Sequence, residues 1–355
     1  MAEPNILSMQ GPVCPLPITD FDVIVMGHGS GGLMTNELIK NVFLPHFNNP
    51  ALLAGNDFAE IPGKHTGRLV VSTDAHIVSP LFFPGGNIGQ LAVAGTINDI
   101  AVSGGTPLCL TASFIIEEGF KITDLEKIVA SMAETAHEAG VPIIAGDTKV
   151  VEKGKADGLF ISTSGVASVN ANMNISGSNA QPGDTVIVSG TLGDHGLAVL
   201  TARGELGLTA NIQSDVAPLN HLIADILNTS SSIHVLRDPT RGGVATTLNE
   251  ISHQSGVGIT IDESSLPINS DVSSACELLG FDPLYVANEG KIIVILPEKD
   301  AQSVLTSMRK SKYGKHAAII GRVHDNPKQG VFLRTQIGGT RLLSVMSGEL
   351  LPRIC

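Results

Sequence analysis

The sequence predicts a two-domain α+β protein. Its 355 residues are enough for two medium-sized domains. Apolar residues make up 43% of the chain and aromatic residues only 4%, so the core must consist mainly of Val, Ile, Leu and Ala, which is typical of sheets covered by helices. Strand-like and helix-like segments alternate, but the strands differ in character, which favours mixed sheets over one parallel sheet.

The first half of the chain contains four predicted strands and three predicted helices. Residues 1–20 are Pro-rich and lack periodicity, so we interpret them as an N-terminal extension. A short apolar run leads into a glycine-rich turn, and the pattern then predicts helices over 33–47, 90–103 and 123–139 and strands over 68–78, 108–118, 141–145 and 158–169. We expect the first strand to be buried, and Thr123 with Glu126 predicts a capping box for the third helix.

The domain boundary is predicted in the polar segment 170–184, which is rich in Asn, Ser and Gly. The predicted N-terminal domain spans 21–175, the C-terminal domain spans 176–338, and a separate tail spans 339–355. Within the C-terminal domain the pattern predicts a strand from Thr185, helices over 193–204, 216–230 and 243–255, strands over 257–261 and 290–296, and an α/β unit over 298–335.

Charge and composition argue against several classes of protein. The formal net charge of −12 argues against a nucleic-acid-binding surface, although it leaves a nucleotide open, since phosphates are bound by local amides and metal ions. No apolar run reaches the length of a membrane-spanning helix, and the N-terminus lacks the pattern of a signal peptide. The four cysteines are scattered without a CxxC pair, which favours a reducing, cytoplasmic setting.

Four aspartates lie beside apolar sequence rather than on charged faces. They are Asp74, Asp99, Asp147 and Asp238. Several carboxylates at element ends, without a His or Cys cluster, favour Mg²⁺, whose coordination phosphate oxygens usually complete. Lys149 is placed to meet the same phosphates as a point charge. A single aspartate in such a place is more often an N-cap or turn residue, so the number of them is what favours a metal–nucleotide site.

The remaining polar candidates are individually weaker. The glycine-rich turn 27–32 opens a helix and offers N–H groups to a phosphate, but it matches neither GxGxxG nor GxxxxGK[ST], so a hinge is an equal alternative. His28 and His76 are candidate ligands or phosphate contacts, whereas zinc is disfavoured because no His or Cys pair has ligand spacing. Glu289 has uncharged flanks, which permits either a surface turn or a buried carboxylate with a raised pKa.

The chain ends in a cysteine, Cys355. A thiol at a chain end is on a tether, because chain ends are usually mobile unless docked. Pro352 stiffens this tether, and the charge of Arg353 favours the thiolate. Two interpretations of the end of the chain therefore remain open. It is either a mobile thiol that carries a chemical group into a site or a frayed end with an incidental cysteine.

Taken together, seven motifs resemble one known family. They are HGSGG (28–32), STDAHIVSPLFFPGGNIG (72–89), NDIAVSGG (98–105), AGDTKVV (145–151), RDPTRGG (237–243), NEGK (288–291) and the terminal PRIC (352–355). Over about residues 22 to 355 the chain resembles the HypE family, the carbamoyl dehydratases of [NiFe]-hydrogenase maturation. That family is part of the superfamily of aminoimidazole ribonucleotide synthetase and selenophosphate synthetase, whose other members lack the PRIC end.

The resemblance implies a fold and an activity. Each subunit would have the two-domain aminoimidazole-ribonucleotide-synthetase-like fold, with the N-terminal domains of a homodimer pairing into a shared β-barrel, ATP near that interface, and a flexible C-terminal tail. HypF would deliver a carbamoyl group to Cys355, and ATP would drive its dehydration to a thiocyanate. The cyano group would pass to the HypC–HypD complex and become a ligand of the hydrogenase iron.

The resemblance also implies roles for particular residues, in a site that uses ATP and Mg²⁺. The implied catalytic residues are Cys355, Lys149 and Glu289. The implied contacts to ATP are His28, Gly29, Gly31, Gly32, Asn87, Asn98, Thr148 and Arg241. The implied metal ligands are Asp74, Asp99, Asp147 and Asp238.

Two other functions remain open from the sequence. One is a kinase of the same superfamily that acts on a free small molecule, as the aminoimidazole ribonucleotide and selenophosphate synthetases do. A reactive N-terminal Cys beside a Lys would favour the selenium case, and Cys14 has no such Lys. The other is a scaffold without catalytic activity, in which the tail docks on a partner and ATP is structural.

Overall fold

The computed structural model describes residues 22–25, 28, 33–49, 67–204, 211–325, 330–345 and 353–355. They form two large sheets covered by helices, one built from residues 68–169 and one from residues 184–343, and a two-stranded hairpin. Both sheets mix parallel and antiparallel pairs, as predicted. Within the described ranges, no helix is both long and apolar enough to span a membrane.

The N-terminal part of the chain contains a four-stranded sheet. Its helices are α1 (Leu33–Leu38), which continues through a π-helix (Ile39–Phe43) into α2 (Leu44–Phe47), then α3 (Ile88–Ala101) and α4 (Ile122–Ala139). Its strands are β1 (Arg68–His76), the short hairpin β2 (Phe82–Phe83) and β3 (Gly86–Asn87), then β4 (Thr106–Glu117), β5 (Ile143–Val151) and β6 (Leu159–Val169). The sheet order is β1-β6-β4-β5, and only β4 and β5 are parallel. Helix α3, which is mostly buried, packs against one face of this sheet.

Three details of this half differ from the prediction. The strand predicted over 141–145 continues to Val151, so Asp147 and Lys149 lie within β5 and not after its end. The strand predicted to be buried, β1, is an edge strand, and the side chains of Leu69 and Val71 are 50% and 70% exposed. Apolar residues on both faces made β1 look like an interior strand, whereas only its inner face is covered by α3. The predicted capping box is also wrong, because Thr123 lies inside α4, whose N-cap is Lys121 without a side-chain cap.

The C-terminal part contains a seven-stranded sheet. Its strands are β7 (Asp184–Val188), β8 (Val235–Arg237), β9 (Gly258–Asp262), β10 (Ile293–Pro297), β11 (Ala318–His324), β12 (Gly330–Arg334) and β13 (Thr340–Leu343). Its helices are α5 (Asp194–Ala202), α6 (Asn220–Thr229), α7 (Gly243–Ser255), α8 (Ser270–Leu279) and α9 (Glu298–Lys310), with 3₁₀ turns at Glu263–Ser265 and Pro283–Tyr285. The order is β13-β12-β9-β11-β7-β10-β8. Strand β7 is wholly buried, with Val186 and Val188 in the core on one side and Ile187 in the core on the other.

The predicted tail differs from the observed chain in two places. Its beginning forms β13, which pairs with β12 as an edge strand of the C-terminal sheet. Its last three residues, Arg353 to Cys355, are docked against the body of the protein, and the side chain of Ile354 is only 3% exposed. The tail predicted to be flexible is therefore anchored at its end, while residues 346–352 lie outside the described residues. The sequence also gave no prediction of α8.

Candidate active site

Four predicted acidic residues are brought into electrostatic contact on the inner side of the structure. Asp74 lies on β1, Asp99 on α3, Asp238 just after β8, and Glu289 just before β10. The negative charge of each of the three aspartates raises the pKa of Glu289. Segments that are far apart in sequence thus converge on one cluster, which we call the acidic cluster: Asp74, Asp99, Asp238 and Glu289.

Glu289 is the most strongly perturbed member of the acidic cluster. Its side chain is 4% exposed, and Oε1 has no hydrogen-bond partner among the described residues. Burial, followed by the charges of Asp238 and other neighbouring acids, raises its pKa well above the ordinary value. A buried carboxyl group with a raised pKa holds or exchanges a proton closer to neutral pH, which suits a general base or acid.

The three aspartates of the acidic cluster also have raised pKa values. Burial and the nearby charge of Asp99 raise the pKa of Asp238 to about 7. Asp99 accepts a 2.7 Å hydrogen bond from the Ser72 hydroxyl, yet burial still raises its pKa. Burial likewise raises the pKa of Asp74, and the positive charge of Arg241 opposes this rise. Mutual repulsion of this kind is relieved by protons or by a bound cation.

Asp147 and Lys149 are separated from the acidic cluster, contrary to the predicted metal site. Across the sheet, Asp147 on β5 is aligned with Ala75 on β1 through the paired residues of β6 and β4. Asp74 is the neighbour of Ala75, and successive side chains of a strand point to opposite faces. Asp147 and Asp74 therefore lie on opposite faces of the sheet. Asp147 Oδ1 accepts from Lys149 Nζ at 3.0 Å, and both side chains are more than 60% exposed. Thr148 between them turns toward the other face, and its N–H donates to Asp147 Oδ1 at 2.8 Å. A ligand role for Asp147 beside the other aspartates of its own chain is therefore corrected.

The two predicted asparagine contacts to ATP have structural partners within the chain. Asn87 is the N-cap of α3, where Oδ1 accepts from the N–H groups of Gly89 and Gln90. Asn98 is 2% exposed, and it donates to the Ala217 carbonyl at 3.1 Å and accepts from the Leu219 N–H at 2.8 Å. These contacts connect α3 to the C-terminal domain, so Asn98 positions the two domains instead of presenting its amide to a nucleotide.

The residues predicted around the glycine-rich turn are only partly described. His28 is 7% exposed, and its Nδ1 accepts from the Val25 N–H at 3.0 Å. Burial lowers the pKa of His28, which favours the neutral ring. Gly29, Gly31 and Gly32 lie outside the described residues. The predicted contact of this turn with phosphate therefore stays a prediction.

His76 is buried next to the acidic cluster. It is 3% exposed, and neither ring nitrogen has a hydrogen-bond partner among the described residues. A Cβ added to Gly95 would approach His76 Cε1 to 3.3 Å and Asp74 Oδ2 to 3.5 Å, so α3 packs closely against both side chains. Burial lowers the pKa of His76 to about 4, so its ring is neutral near pH 7. A role in packing is therefore enough to explain why His76 is buried here.

A buried ion pair behind Glu289 was missed by the sequence analysis. Lys291 Nζ lies 2.8 Å from Asp215 Oδ2, and both side chains are less than 10% exposed. Asp215 Oδ1 accepts from the Glu289 N–H at 3.0 Å, which fixes the backbone of the predicted base. Burial alone would raise the pKa of Asp215, but the charge of Lys291 lowers it. Asp215 could have been found by the same signal as the others, because it is an acid with uncharged flanks in SDVAPL.

Gly290 is required by the close approach of two backbones in this region. A Cβ at position 290 would overlap the backbone of Asp215. The glycine in the NEGK motif therefore allows Asp215 to reach both the Glu289 N–H and Lys291.

The C-terminal cysteine is docked against the segment that follows β1. The Cys355 carbonyl accepts from the Ile77 N–H at 3.3 Å, and the Arg353 carbonyl accepts from the Ser79 N–H at 3.1 Å. Arg353 also forms an ion pair with Asp157 at 2.6 Å. Ile77 follows β1 directly, so the docked end of the chain lies three residues along from Asp74.

The chemistry of the acidic cluster fits a magnesium–nucleotide complex. Carboxylate oxygens are the protein ligands that Mg²⁺ prefers, and phosphate and water oxygens usually complete its shell. Among the described residues, no three His, Cys, Asp or Glu side chains lie close enough together to hold a metal ion by themselves. The unpartnered Glu289 Oε1 and the raised pKa values of the aspartates indicate a site that is short of positive charge.

Comparison with known proteins identifies the family. Two family models match the chain: AIR synthase related protein, N-terminal domain, over residues 55–169, and AIR synthase related protein, C-terminal domain, over residues 181–334. The protein called carbamoyl dehydratase HypE from Cupriavidus necator is 53% identical over 332 residues, which cover 94% of this chain and 95% of the relative. The chain belongs to the HypE family. The resemblance inferred from the seven motifs is thereby confirmed, as is the two-domain α+β fold.

Solved HypE structures agree with this fold. A crystal structure of a HypE protein in complex with ATP matches with a TM-score of 0.89 and 46% identity, and covers 93% of this chain and 99% of that chain. A HypE chain from a HypE–HypF complex matches with a TM-score of 0.77 and 51% identity, over 87% of this chain and 99% of that chain. Two functions of HypE proteins, binding ATP and associating with HypF, are therefore represented among these relatives.

Proposed function

We propose that this protein dehydrates a carbamoyl group on its own C-terminal thiol, using ATP, and so supplies cyanide for the iron of [NiFe]-hydrogenase. The substrate is the S-carboxamide of Cys355 and the product is the thiocyanate, with ADP and phosphate released. The observation that carries the proposal is the docking of Cys355 against Ile77, three residues along the chain from Asp74 of the acidic cluster. The family, whose members are called carbamoyl dehydratases, supports the same conclusion.

The reaction balances in two steps. The carboxamide oxygen attacks the γ-phosphorus of ATP while one nitrogen proton leaves, which gives ADP and an O-phosphorylated imidate. Loss of the second nitrogen proton then forms the C≡N bond as the C–O bond breaks, and the oxygen leaves in phosphate. An amide oxygen is a poor leaving group, and phosphorylation makes it a good one. Positioning and charge neutralisation dominate such phosphoryl transfers.

In this proposal Glu289 takes the nitrogen protons at Oε1. Its oxygen is buried and has no partner among the described residues, and a carboxylate with a raised pKa is a stronger base than an ordinary one. Asp215 holds the Glu289 backbone through the 3.0 Å hydrogen bond, so the base is fixed from behind. Arg241, whose charge already acts on Asp74, is placed to meet a phosphate or the terminal carboxylate.

Mg²⁺ would be held by carboxylates of Asp74, Asp99 and Asp238 together with phosphate oxygens of ATP, because the side chains alone do not lie close enough together to hold it. It would supply positive charge against those phosphates. His28 and the glycines of the 27–32 turn are proposed to cover those phosphates, as the family resemblance implies. We keep the predicted domain boundary near residue 175 as part of this proposal, and we propose that the active site lies between the two domains.

We also propose that the protein is a homodimer and that Asp147 and Lys149 act on the partner's site. The outer face of the N-terminal sheet exposes Leu69, Val71 and Ile115, at 50%, 70% and 41%. An apolar sheet face of this kind is typical of a surface that a second copy covers. Because Asp147 and Lys149 lie on this face, dimerisation would bring them to the partner subunit rather than to their own acidic cluster.

The proposed partners follow the family. HypF delivers the carbamoyl group, which a HypE–HypF complex among the relatives supports. The HypC–HypD complex accepts the cyano group, and the reaction takes place in the cytoplasm, where a thiol carrier stays reduced.

Intact-protein mass spectrometry tests the proposal. The protein is incubated with HypF and carbamoyl phosphate, and ATP is added afterwards. We expect a gain of one carbamoyl group at Cys355 and then, with ATP, the loss of one water. Cys355→Ser should show neither change, whereas Cys109→Ala, which keeps the terminal thiol, should show both. A thiocyanate on any other residue, or cyano transfer by Cys355→Ser, would refute the proposal.

A further inference from the structure

The last three residues of the chain dock against the segment after β1, with Arg353 in a left-handed backbone conformation (φ 55°). The carbonyls of Arg353 and Cys355 both accept from the segment after β1, at the N–H groups of Ser79 and Ile77. The Ile354 carbonyl between them lies toward α5 instead of toward that segment. None of the strand pairs among the described residues includes Ile354.

The outward-facing carbonyl of Ile354 is paired by a side chain instead. His195 Nε2 lies 2.8 Å from the Ile354 oxygen. Because Ile354 is 3% exposed, water does not readily replace a lost partner there. A buried backbone carbonyl without a donor is costly, so this one contact decides whether the docked position is satisfied.

The surroundings of His195 fix its orientation and its proton. The ring is fully buried in the first turn of α5, edge-on to the ring of Phe83 at 5.4 Å. Its Nδ1 lies 2.8 Å from Ser214 Oγ, which itself accepts from the Val216 N–H and therefore has its hydroxyl hydrogen to give to Nδ1. The proton of the neutral ring is thus on Nε2, and Nε2 donates to Ile354. Burial lowers the pKa of His195 and favours this neutral form.

We propose that His195 is the positioning residue that holds the C-terminal peptide, and with it the Cys355 thiol, in the site. Arg203 also contacts the tail, donating to the Arg353 carbonyl at 2.9 Å, but that carbonyl keeps the Ser79 N–H when Arg203 is lost. The Ile354 carbonyl, in contrast, has His195 as its one side-chain or backbone donor in the part of the chain that the structure describes. That the docked state is the reactive one rests on the proposed function, whereas the docking itself does not.

A matched pair of amide variants in the full-length protein tests this role. In His195→Gln the side-chain amide reaches about as far as Nε2 and can still donate to Ile354. In His195→Asn it reaches only as far as Nδ1, so the bond to Ser214 can remain while the one to Ile354 is lost. The measurement is the rate at which a carboxypeptidase removes Cys355, followed by intact mass without ATP or HypF. This rate is proportional to the fraction of molecules with an undocked tail, provided that docking and undocking are fast compared with cleavage.

We expect His195→Asn to raise the release rate by about five- to thirtyfold, which corresponds to about 1–2 kcal/mol, and His195→Gln to stay within about twofold of the parent. In an Ile354→Asp background, a charged group replaces the buried apolar side chain and already prevents docking, so the two variants should not differ there. Equal rates for the Asn and Gln variants in the parent background would overturn the role of His195. So would an Asn effect that persists unchanged in the Ile354→Asp background, because it would then not act through the tail.

The two proposals fail separately in these experiments. If the tail is released as expected but no thiocyanate forms in the mass assay, the docking role stands and the proposed reaction is wrong. If thiocyanate forms equally fast in the Asn and Gln variants while their release rates are equal, the reaction stands and the role of His195 is wrong.

Discussion

Replacing Asp238 by Asn should make the ligand-free protein more stable, although it removes a proposed metal ligand. Asp238 lies against Asp99 and Asp74, and their charges add to the effect of burial on its pKa. Asparagine has nearly the same shape and carries no charge, so it relieves the repulsion without opening a cavity. Functional sites often reduce the stability of a protein in this way, because their groups are arranged for a ligand.

The size of this effect follows from the pKa. A rise from 3.8 to about 7 is equivalent to about 4 kcal/mol when each pH unit is worth about 1.4 kcal/mol. Asp238 retains some exposure to solvent, which screens the repulsion, so we expect about 2 kcal/mol. That amount is a large part of the usual stability of a domain, and it is large enough to be measured by urea unfolding.

The gain should depend on pH with a definite sign. The folded pKa of Asp238 is raised above its unfolded value, so its ionisation costs nothing below about pH 3.9, where the carboxyl is protonated in both states. As the pH rises from there toward 7, the unfolded state ionises first and the parent loses stability relative to Asp238→Asn. The difference between the two proteins should therefore be small at pH 4 and complete at pH 8.

Urea unfolding in the presence of a chelator and without nucleotide measures the effect. Asp225→Asn is the control, because Asp225 is an exposed residue on α6 away from the acidic cluster, and it should leave the free energy of unfolding unchanged. The reasoning is refuted if Asp238→Asn is no more stable than the parent at pH 8. It is also refuted if the gain is equal at both pH values, because the gain would then not come from charge.

Three further predictions concern the ion pair and the dimer. Lys291→Met should lower the free energy of unfolding by about 3 kcal/mol, because it leaves the charge of Asp215 buried and unpaired. Adding Asp215→Asn to this variant should recover much of the loss, and additive losses of the two substitutions would contradict the prediction. Val71→Lys should shift the particle mass seen by light scattering from dimer to monomer with an unchanged circular dichroism spectrum, and a persistent dimer would remove the proposed interface. Mixed dimers of Lys149→Ala with Cys355→Ser should regain dehydration only if Lys149 acts across the interface, and inactive mixtures would place it in its own subunit.

Much of the fold could be predicted because local signals coincided with real element ends. The helix predicted over 243–255 has these bounds in the structure, where Gly242 and Gly256 flank it in left-handed conformations. The exposure of β1 could not be predicted in the same way. Whether a strand is at an edge depends on the order of strands in the sheet, and no local pattern of residues 68–76 contains that order.

The site shows the same division between local and distant information. Apolar flanks selected Asp74, Asp99 and Asp238 correctly as members of one cluster, because an acid in such sequence is either paired or functional. The same signal also selected Asp147, which the structure places on the other face of the sheet. The signal reports that a carboxylate is unusual for its surroundings, but the face to which it points depends on the register between β4 and β5.

The acidic cluster and the docked tail depend on the same short segment of chain. Asp74 is on β1, and Ile77 and Ser79, which bind the tail, follow within five residues. A ligand that draws the carboxylates together must act on the strand whose continuation holds Cys355. A ligand bound at the acidic cluster can therefore shift the equilibrium between the docked and undocked tail. By linkage, docking of the tail then raises the affinity for the ligand by the same factor. This reciprocity follows if the docked conformation is the one the ligand binds better, and the tail would then contribute to ligand affinity at the proposed nucleotide site.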